Sequence, residues 1–428
     1  MNGTIIPRRS PWSTQISTGP LDRLARRLLL KRLAGLTDGR LLLRDGDLMV
    51  SVGSEGEQEG LSAEVHVLHP SFYSAVAFGG SIGAGESYMA GAWKASDLTA
   101  VVRIMLRNRS IGNEIDGGLS KGLARTVHKL YHMKRRNTEV GSRRNIAAHY
   151  DLGNDFYALF LDSTLTYSCG IFETADSTLE QAAVAKYDRI CRKLGLTPSD
   201  HVLEIGSGWG GFAIHAARHY GCRVTTTTIS RAQYELARQR IQDAGLEDRI
   251  ELLCRDYRHL QGKYDRLVSI EMIEAVGREY LGEFLRCCGE RLKADGSMVL
   301  QAITIVDQEF EQHSRSVDFI KRYIFPGGCL TSVTAICGAA TEGTDLRLVH
   351  LEDITPHYAR TLRTWRERFF ANIGEVRGLG YPDMFIRMWE FYLSYCEAGF
   401  AERYLGDVQM LFHKPLCRHD PILPPLHR

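Results

Sequence analysis

The chain has 428 residues, and its 53 basic residues nearly balance its 51 acidic residues. Because this length exceeds the usual size of one domain, we expect two domains with an ample hydrophobic core. The even charge balance favours no nucleic acid partner. The ten cysteines show no C-x-x-C spacing, so no metal site and no disulfide framework are predicted, which suits a reducing cytosol.

The first segment with a clear pattern is residues 21–36, LDRLARRLLLKRLAGL, which predict a basic amphipathic helix. Such a helix either lies on anionic lipid or packs on a core with its basic side in water. No apolar stretch reaches the ~20 residues that span a bilayer, and the start lacks the apolar segment of a signal peptide. We therefore expect a cytoplasmic protein, peripheral at the inner membrane surface.

Short alternating segments follow within residues 40–69 and break at Asp45 and Gly46, as a β-hairpin would. After them come GESYMAGAW (residues 85–93) and the helical LTAVVRIMLRN. These elements predict a small N-terminal α+β or helical domain, residues 1–120, with an accessory or lipid-binding role.

Residues 121–144 form a local positive stretch, with Glu139 as their one acid. A solvated linker between domains and a site for phospholipid headgroups are both open, since each basic residue near an anionic membrane contributes ~1 kcal/mol. RNA is less favoured, because no glycine-aromatic motif of an RNA-recognition domain lies nearby. The basic residues are Lys121, Arg125, Lys129, Lys134, Arg135, Arg136, Arg143 and Arg144.

A glycine-rich turn organises the rest of the chain. Residues 201–212, HVLEIGSGWGGF, read as a strand, a tight turn and the start of a helix. Gly206 and Gly208 would let the backbone approach a ligand, and the helix that follows offers unpaired N–H groups. The pattern G-x-G-x-x-G alone also fits a plain turn.

Two details around this turn select the ligand. A fold that binds NAD usually carries an acidic residue about 20 residues on, for the ribose, but here the next strand, CRVTTTT, ends in Ile229 and Ser230. By contrast, Glu204 gives the pattern E-x-G-x-G, which resembles the first motif of class I S-adenosylmethionine (SAM) methyltransferases. SAM is therefore the predicted cofactor, and a nicotinamide oxidoreductase is the lesser alternative.

Further segments extend the resemblance. Residues 145–172, TTTTISRAQ, DYR at 256–258, SIEMIEAVG at 269–277 and YIFPGGCL at 323–330 follow the order seen in cyclopropane-fatty-acyl-phospholipid synthases. The chain is thus identified as a member of that family, to which the mycolic acid cyclopropane synthases also belong, over residues 85–414. The resemblance implies an α/β, Rossmann-like, seven-stranded methyltransferase sheet with a helical insertion, in a catalytic domain of residues 145–428.

The resemblance also implies which residues hold SAM. Gly206 and Gly208, with Glu204 before them, would pass under the methionine part, and the adenine would lie between residues that follow the third strand. The full set is Tyr167 and Ser168 at the sulfonium, Glu204, Gly206 and Gly208 at the turn, Thr228, Ile229 and Gln233 at the ribose, and Asp256 and Tyr257 at the adenine.

For the reaction, the resemblance implies methyl transfer to a double bond and proton removal with the help of a bound bicarbonate. The cradle of that anion maps onto Cys169, Glu274, Tyr358 and the main chain of Ile303. The histidine usual in the family falls on Gln301, whose amide can donate a hydrogen bond but can neither be charged nor take a proton. Either bicarbonate still binds, or Glu274 or Glu271 acts directly as the base.

Glu271 and Glu274 follow the fourth strand of the domain, three residues apart. Two carboxylates this close would repel each other and raise a pKa. Our hypothesis from the sequence is that Glu274 is the functional one, organising the anion or acting as base.

The resulting prediction is a SAM-dependent C-methyltransferase that makes cyclopropane fatty acids on unsaturated acyl chains of the phospholipid bilayer, as a possible homodimer. A branched or methylene-bearing product, or another apolar acceptor, is the alternative within the same architecture. From a different class, the chain could be a lipid-surface binding protein without turnover.

Overall fold

The computed structural model of the protein describes residues 19–54, 60–116, 137–138, 141–142, 145, 152–420 and 422. The chain divides into two compact units, Met1–Ser120 and Lys121–Arg428. Most of the positive stretch 121–144 lies outside the described residues, so its role stays a prediction. All ten cysteines are free thiols. No helix within the described ranges is both long and apolar enough to cross a membrane.

The first unit contains a small sheet with the strand order β2-β1-β3-β4. The predicted hairpin is confirmed, because β1 and β2 pair antiparallel with Asp45 opposite Leu48. Gly46 in this turn has a φ of +60°, which a glycine adopts without steric cost. The strands are β1 (Gly39–Asp45), β2 (Leu48–Ser54), β3 (Ser62–Val67) and β4 (Trp93–Ala95).

Helices cover this sheet, and the first of them is the predicted basic helix. It buries Ala25, Leu29 and Leu33, while Leu21 and Leu24 stay 59% and 50% exposed. The motif GESYMAGAW supplies core contacts, since its tryptophan is buried and bonds back to the preceding helix. The helices are α1 (Pro20–Leu33), α2 (Ser71–Met89), α3 (Leu98–Arg107) and α4 (Arg109–Asp116).

The second unit is built on a seven-stranded sheet with the order β10-β11-β9-β8-β5-β6-β7. The five strands from β9 to β7 are parallel, and β11 and β10 run antiparallel to their neighbours. This confirms the predicted α/β fold. The strands are β5 (His201–Ile205), β6 (Arg223–Thr228), β7 (Ile250–Cys254), β8 (Tyr264–Ile270), β9 (Leu292–Ile305), β10 (Arg347–Asp353) and β11 (Leu405–His413).

Helices pack on both faces of this sheet and bury an apolar core on each. The predicted helical insertion between β9 and β11 is present, but it also contains β10, an edge strand that the sequence interpretation missed. The helices are α5 (Asn154–Ala158), α6 (Leu179–Leu194), α7 (Gly211–Tyr220), α8 (Arg231–Asp243), α9 (Leu281–Arg291), α10 (Asp307–Arg315), α11 (Val333–Gly343), α12 (Thr355–Ala371), α13 (Ile373–Gly378) and α14 (Asp383–Ala401).

Candidate active site

The glycine turn lies at the carboxyl end of β5, where open parallel sheets bind their ligands. The N–H groups of Gly206 and Ser207 donate to the carbonyl of Thr227, at 3.0 and 2.9 Å, which fastens the turn to β6. Gly208 has a φ of +49°, and no described atom lies within 4 Å of the place a Cβ would take. A ligand can therefore approach the backbone closely at this position.

Glu204 lies below the turn with its side chain fully buried. It accepts a hydrogen bond of 2.5 Å from the hydroxyl of Thr226 on β6. Burial raises the pKa of Glu204 to about 7, against the opposing effect of that hydrogen bond. Glu204 thus joins β5 to β6 directly beneath the glycines.

The ends of β6 and β7 bring the predicted ribose and adenine residues to the same edge of the sheet. Thr228 donates to the side-chain oxygen of Gln233 at 2.9 Å, and Ile229 lies between them in the chain. Asp256 is buried and accepts two hydrogen bonds from the guanidinium of Arg258, at 2.9 and 2.8 Å. Despite burial, these bonds lower the pKa of Asp256, so it is an anion.

Tyr257, the second predicted adenine residue, lies in a short 3₁₀ turn after β7. Its ring meets Phe284 edge to face, with 5.3 Å between centroids. The guanidinium of Arg258 lies 5.4 Å from the same ring. These contacts hold the tyrosine at the rim of the β7 end.

The segment before α6 folds over the glycine turn. Trp209 donates to the side-chain oxygen of Asn154 at 2.7 Å, and its ring lies 5.1 Å from that of Tyr157. Arg240 bonds the carbonyls of both Thr164 and Trp209. The turn is therefore covered by protein on this side.

Tyr167 and Ser168 extend this cover. The Tyr167 hydroxyl lies 2.9 Å from that of Tyr392, and its ring lies 5.2 Å from Trp365. Ser168 accepts a hydrogen bond of 2.5 Å from the ammonium of Lys186, a fully buried residue on α6. Burial lowers the pKa of Lys186, and nearby carboxylates oppose that effect.

Glu271 is the first residue after β8, and its carboxylate is a centre of hydrogen bonding. Oε1 accepts from the main-chain N–H of Cys169 at 2.8 Å and from the amide of Gln301 at 2.7 Å. Oε2 accepts from the hydroxyl of Tyr358 at 2.5 Å. Donors from three distant segments thus meet on one buried carboxylate.

Glu274 lies in the next 3₁₀ turn and has fewer partners. Its Oε1 accepts from the N–H of Ile303 at 2.5 Å, while its buried Oε2 has no partner among the described residues. Burial and the neighbouring Glu271 raise the pKa of Glu274 to about 8. At neutral pH it is therefore mostly protonated.

Asp407 on β11 completes a cluster of three buried carboxyl groups with Glu271 and Glu274. It accepts a hydrogen bond of 3.1 Å from the Gln301 amide. Burial and the charges of the two glutamates raise its pKa well above its usual range. The described residues hold no group of side chains suited to a metal ion.

The amide of Gln301 has a defined orientation in this cluster. Its oxygen accepts from Gln409 at 3.0 Å, so its NH₂ group faces the carboxyls of Glu271 and Asp407. Gln409 is itself bonded by Lys193. The residue at the family's histidine position therefore acts as a fixed double donor.

These contacts test whether the cradle fits a bicarbonate. The main-chain N–H of Cys169, the hydroxyl of Tyr358 and the amide of Gln301 already donate to Glu271, and the N–H of Ile303 donates to Glu274. Every donor predicted for the anion is thus bonded to a carboxylate of the chain itself. The residues do not fit a bound bicarbonate.

Aromatic side chains surround the same region. Tyr358 stacks on Phe400 with centroids 4.3 Å apart and meets Trp365 edge to face. Tyr167 lies 6.4 Å from Phe325 and 5.3 Å from Tyr157. We call these six residues the aromatic cluster: Tyr157, Tyr167, Phe325, Tyr358, Trp365 and Phe400. It forms an apolar environment beside the buried carboxyls.

Known proteins resemble this chain in sequence and fold. Residues 137–410 match the family described as mycolic acid cyclopropane synthetase. The chain belongs to this family. It is 36% identical over 419 residues to the tuberculostearic acid methyltransferase UfaA1 of Mycobacterium tuberculosis, which covers 94% of each chain. It is 34% identical to the cyclopropane-fatty-acyl-phospholipid synthase of Escherichia coli, over 82% of this chain and 88% of that protein.

A solved member of the family carries the cofactor product. The crystal structure of mycolic acid cyclopropane synthase CmaA1 complexed with SAH and CTAB matches with a TM-score of 0.59 and 33% identity, covering 64% of this chain and 98% of that one. The resemblance read from the motifs is confirmed, and so is SAM as the cofactor of this methyltransferase. The residues at the β5, β6 and β7 ends fit this cofactor and would hold it, and it would supply an electrophilic methyl group there.

Three residues of the site were not chosen from the sequence. Lys186 lies on the buried face of α6 with Ala182 and Ile190, four residues away on either side. A charged residue on the apolar face of a helix is unusual, so the sequence could have indicated a buried lysine here. Asp407 interrupts an apolar strand in the same way. Glu271 was considered as a base, but it was ranked behind Glu274.

Proposed function

We propose that the protein transfers the methyl group of SAM to a double-bond carbon in the unsaturated acyl chains of membrane phospholipids, with a cyclopropane as product. The observation that carries the proposal is a buried proton acceptor beside an apolar aromatic cluster at the SAM edge of the sheet. Addition of a methyl cation to an alkene leaves a carbocation, which requires an environment without water and a nearby base.

The described residues supply both requirements. The aromatic cluster excludes water, and aromatic faces stabilise a nearby cation by about 0.5–2 kcal/mol each. The carboxyl cluster supplies the base. A long, neutral acyl chain matches this apolar environment better than a polar acceptor would.

A second product class has its own support. One relative is named a tuberculostearic acid methyltransferase and another a cyclopropane synthase. Gln301 stands where the family usually has histidine, and its amide donates to Glu271 at 2.7 Å. A branched or methylene-bearing acyl chain is therefore the second candidate outcome of the same methyl transfer.

The membrane surface is proposed as the place of reaction. On α1, Leu21 and Leu24 are exposed beside the exposed Arg23, Arg27 and Lys31. Apolar and basic side chains together bind anionic lipid surfaces. A cytoplasmic, peripheral protein and a homodimer stay predictions.

Incubation with SAM carrying a deuterated methyl group and unsaturated phosphatidylglycerol vesicles tests the proposal. We expect SAH release, a lipid mass increase of one dideuterated methylene and loss of the alkene proton signals. Retained or new methylene alkene signals, with the same SAH release, would favour the second candidate. Vesicle binding without SAH release would reject both and support a lipid-surface binding protein.

A further inference from the structure

The carboxylate of Glu271 accepts hydrogen bonds from donors of the predicted anion site, and the role assigned to it below rests on the proposed function. Glu271 is bonded by a loop residue, a strand residue and a helix residue, Cys169, Gln301 and Tyr358. These residues are far from Glu271 in sequence. The tertiary fold therefore brings these three donors together on one side chain.

The backbone of Glu271 adopts an unusual conformation to reach this position. Its φ is +47°, which side-chain-bearing residues rarely adopt. The Glu271 N–H donates to the carbonyl of Gln301 at 2.9 Å, which holds the residue at the strand end. Strain of this kind persists where the surrounding structure fixes it, and it clusters at active sites.

Charges around Glu271 identify it as the ionised member of the cluster. Burial raises the pKa of Glu271, while the hydroxyl of Tyr358 and the ammonium of Lys186 lower it. Asp407 accepts from the Gln301 amide and interacts with the Cys169 thiol, while its side-chain hydrogen bond with Glu271 raises the pKa of Asp407, as expected of the partner that carries the proton. Glu274 is mostly protonated at neutral pH. The negative charge therefore resides on Glu271.

Glu271 also lies next to the cofactor turn. The following residue, Met272, packs closely on Gly206: a Cβ added to Gly206 would lie 3.1 Å from the Cγ of Met272. Ser269, two residues earlier, bonds the carbonyl of Ile205 at 3.0 Å. The carboxylate thus lies beside the end of β5, and Tyr358 connects it to the aromatic cluster.

We propose that the carboxylate of Glu271 is the proton acceptor of the reaction and replaces an external bicarbonate. The alkene carbon bonds to the methyl carbon as the C–S bond breaks, which leaves a cation on the neighbouring carbon. A C–H bond of the new methyl group then breaks. Its electron pair closes the third ring bond, and its proton moves to Glu271. Since a carbocation loses a proton readily when the electron pair of the C–H bond can close a ring, a weakly basic carboxylate suffices when it is ionised and fixed in place.

The test compares the wild type with Glu271→Gly and Glu271→Gln in buffer freed of CO₂ and in buffer with added bicarbonate. Glycine tolerates the positive φ, so the first variant should fold, and it leaves space for a small anion. Calorimetry with SAH checks that the cofactor site is intact. Binding of ¹³C-labelled bicarbonate, followed by NMR, gives a readout that is independent of activity.

We expect wild-type turnover to change by less than about twofold without bicarbonate, and Glu271→Gly to lose about 10²–10⁴-fold. Added bicarbonate should restore at least about tenfold in Glu271→Gly but not in Glu271→Gln, whose side chain fills the site. Labelled bicarbonate should bind Glu271→Gly and not the wild type. The surface variant Glu290→Gln should behave as the wild type does.

Loss of wild-type activity on CO₂ removal, or bicarbonate binding to the wild type, would overturn the proposal. Full activity of Glu271→Gly without bicarbonate would overturn it as well. If the wild type methylates no unsaturated lipid under any condition, the proposed function fails, while the NMR binding experiment still decides whether Glu271 occupies the anion site.

Discussion

Replacement of Tyr358 by phenylalanine removes one hydroxyl and little else. Its oxygen donates to Glu271 Oε2 at 2.5 Å, whereas its ring stacks on Phe400, a contact that phenylalanine retains. A hydrogen bond to a charged group contributes about 1.5–3 kcal/mol. That energy corresponds to about a 10- to 150-fold change in an equilibrium constant.

The bond stabilises the ionised form of Glu271, so its loss raises the pKa of that carboxyl further. Below the wild-type pKa the ionised fraction falls by the full factor above, and between the wild-type and the raised pKa it falls by less; kcat follows this fraction. We expect Tyr358→Phe to lose up to about 10- to 150-fold in kcat, with the largest loss at low pH, and to recover as the pH rises. SAH affinity should stay unchanged, because Tyr358 acts as a positioning residue for the base.

The assay follows SAH release on unsaturated phosphatidylglycerol vesicles between about pH 6 and about pH 9. Tyr392→Phe is the matched control, because it also removes one buried tyrosine hydroxyl, which lies 2.9 Å from that of Tyr167. Any loss in that variant should be the same at every pH. A loss in Tyr358→Phe that did not depend on pH, or no loss at all, would refute the reasoning.

Two further predictions concern stability and lipid binding. Burial raises the pKa of Glu204 from 4.5 to about 7, which corresponds to roughly 3 kcal/mol of stability that is present at low pH and lost as the pH rises through 7. Thermal unfolding of the cofactor-free Glu204→Gln variant should therefore vary less between about pH 5 and about pH 7 than that of the wild type. Leu21→Glu with Leu24→Glu should weaken binding to anionic vesicles about tenfold or more, since both exposed leucines would leave the lipid.

Controls separate these effects from general damage. Leu379 is 46% exposed and belongs to the other unit, so Leu379→Glu should bind vesicles as the wild type does. If the double variant bound vesicles as strongly as the wild type does, α1 would not be the element that binds the membrane. An unchanged slope of stability against pH in Glu204→Gln would mean that Glu204 is not the group that titrates.

Much of the fold followed from the sequence, because local patterns determine it. Short runs of apolar and β-branched residues marked the parallel strands β5, β6 and β8, and Gly206, with a φ of +101°, ends β5. The sequence did not predict β10, because an edge strand is little buried and therefore needs no regular alternation of apolar and polar residues. Val349 and Leu351 of this strand are both exposed. On α1, the amphipathic pattern predicted a helix but not which leucines are buried, since Leu21 and Leu24 are exposed.

The sequence by itself determined the cofactor edge, since the residues of the glycine turn are neighbours in the chain and their geometry is local. Only the tertiary structure decided between Glu271 and Glu274. The donors that distinguish them, Cys169 and Tyr358, lie 102 and 87 residues from Glu271 in the chain. A carboxylate's charge depends on what surrounds it, and folding alone brings those distant groups together.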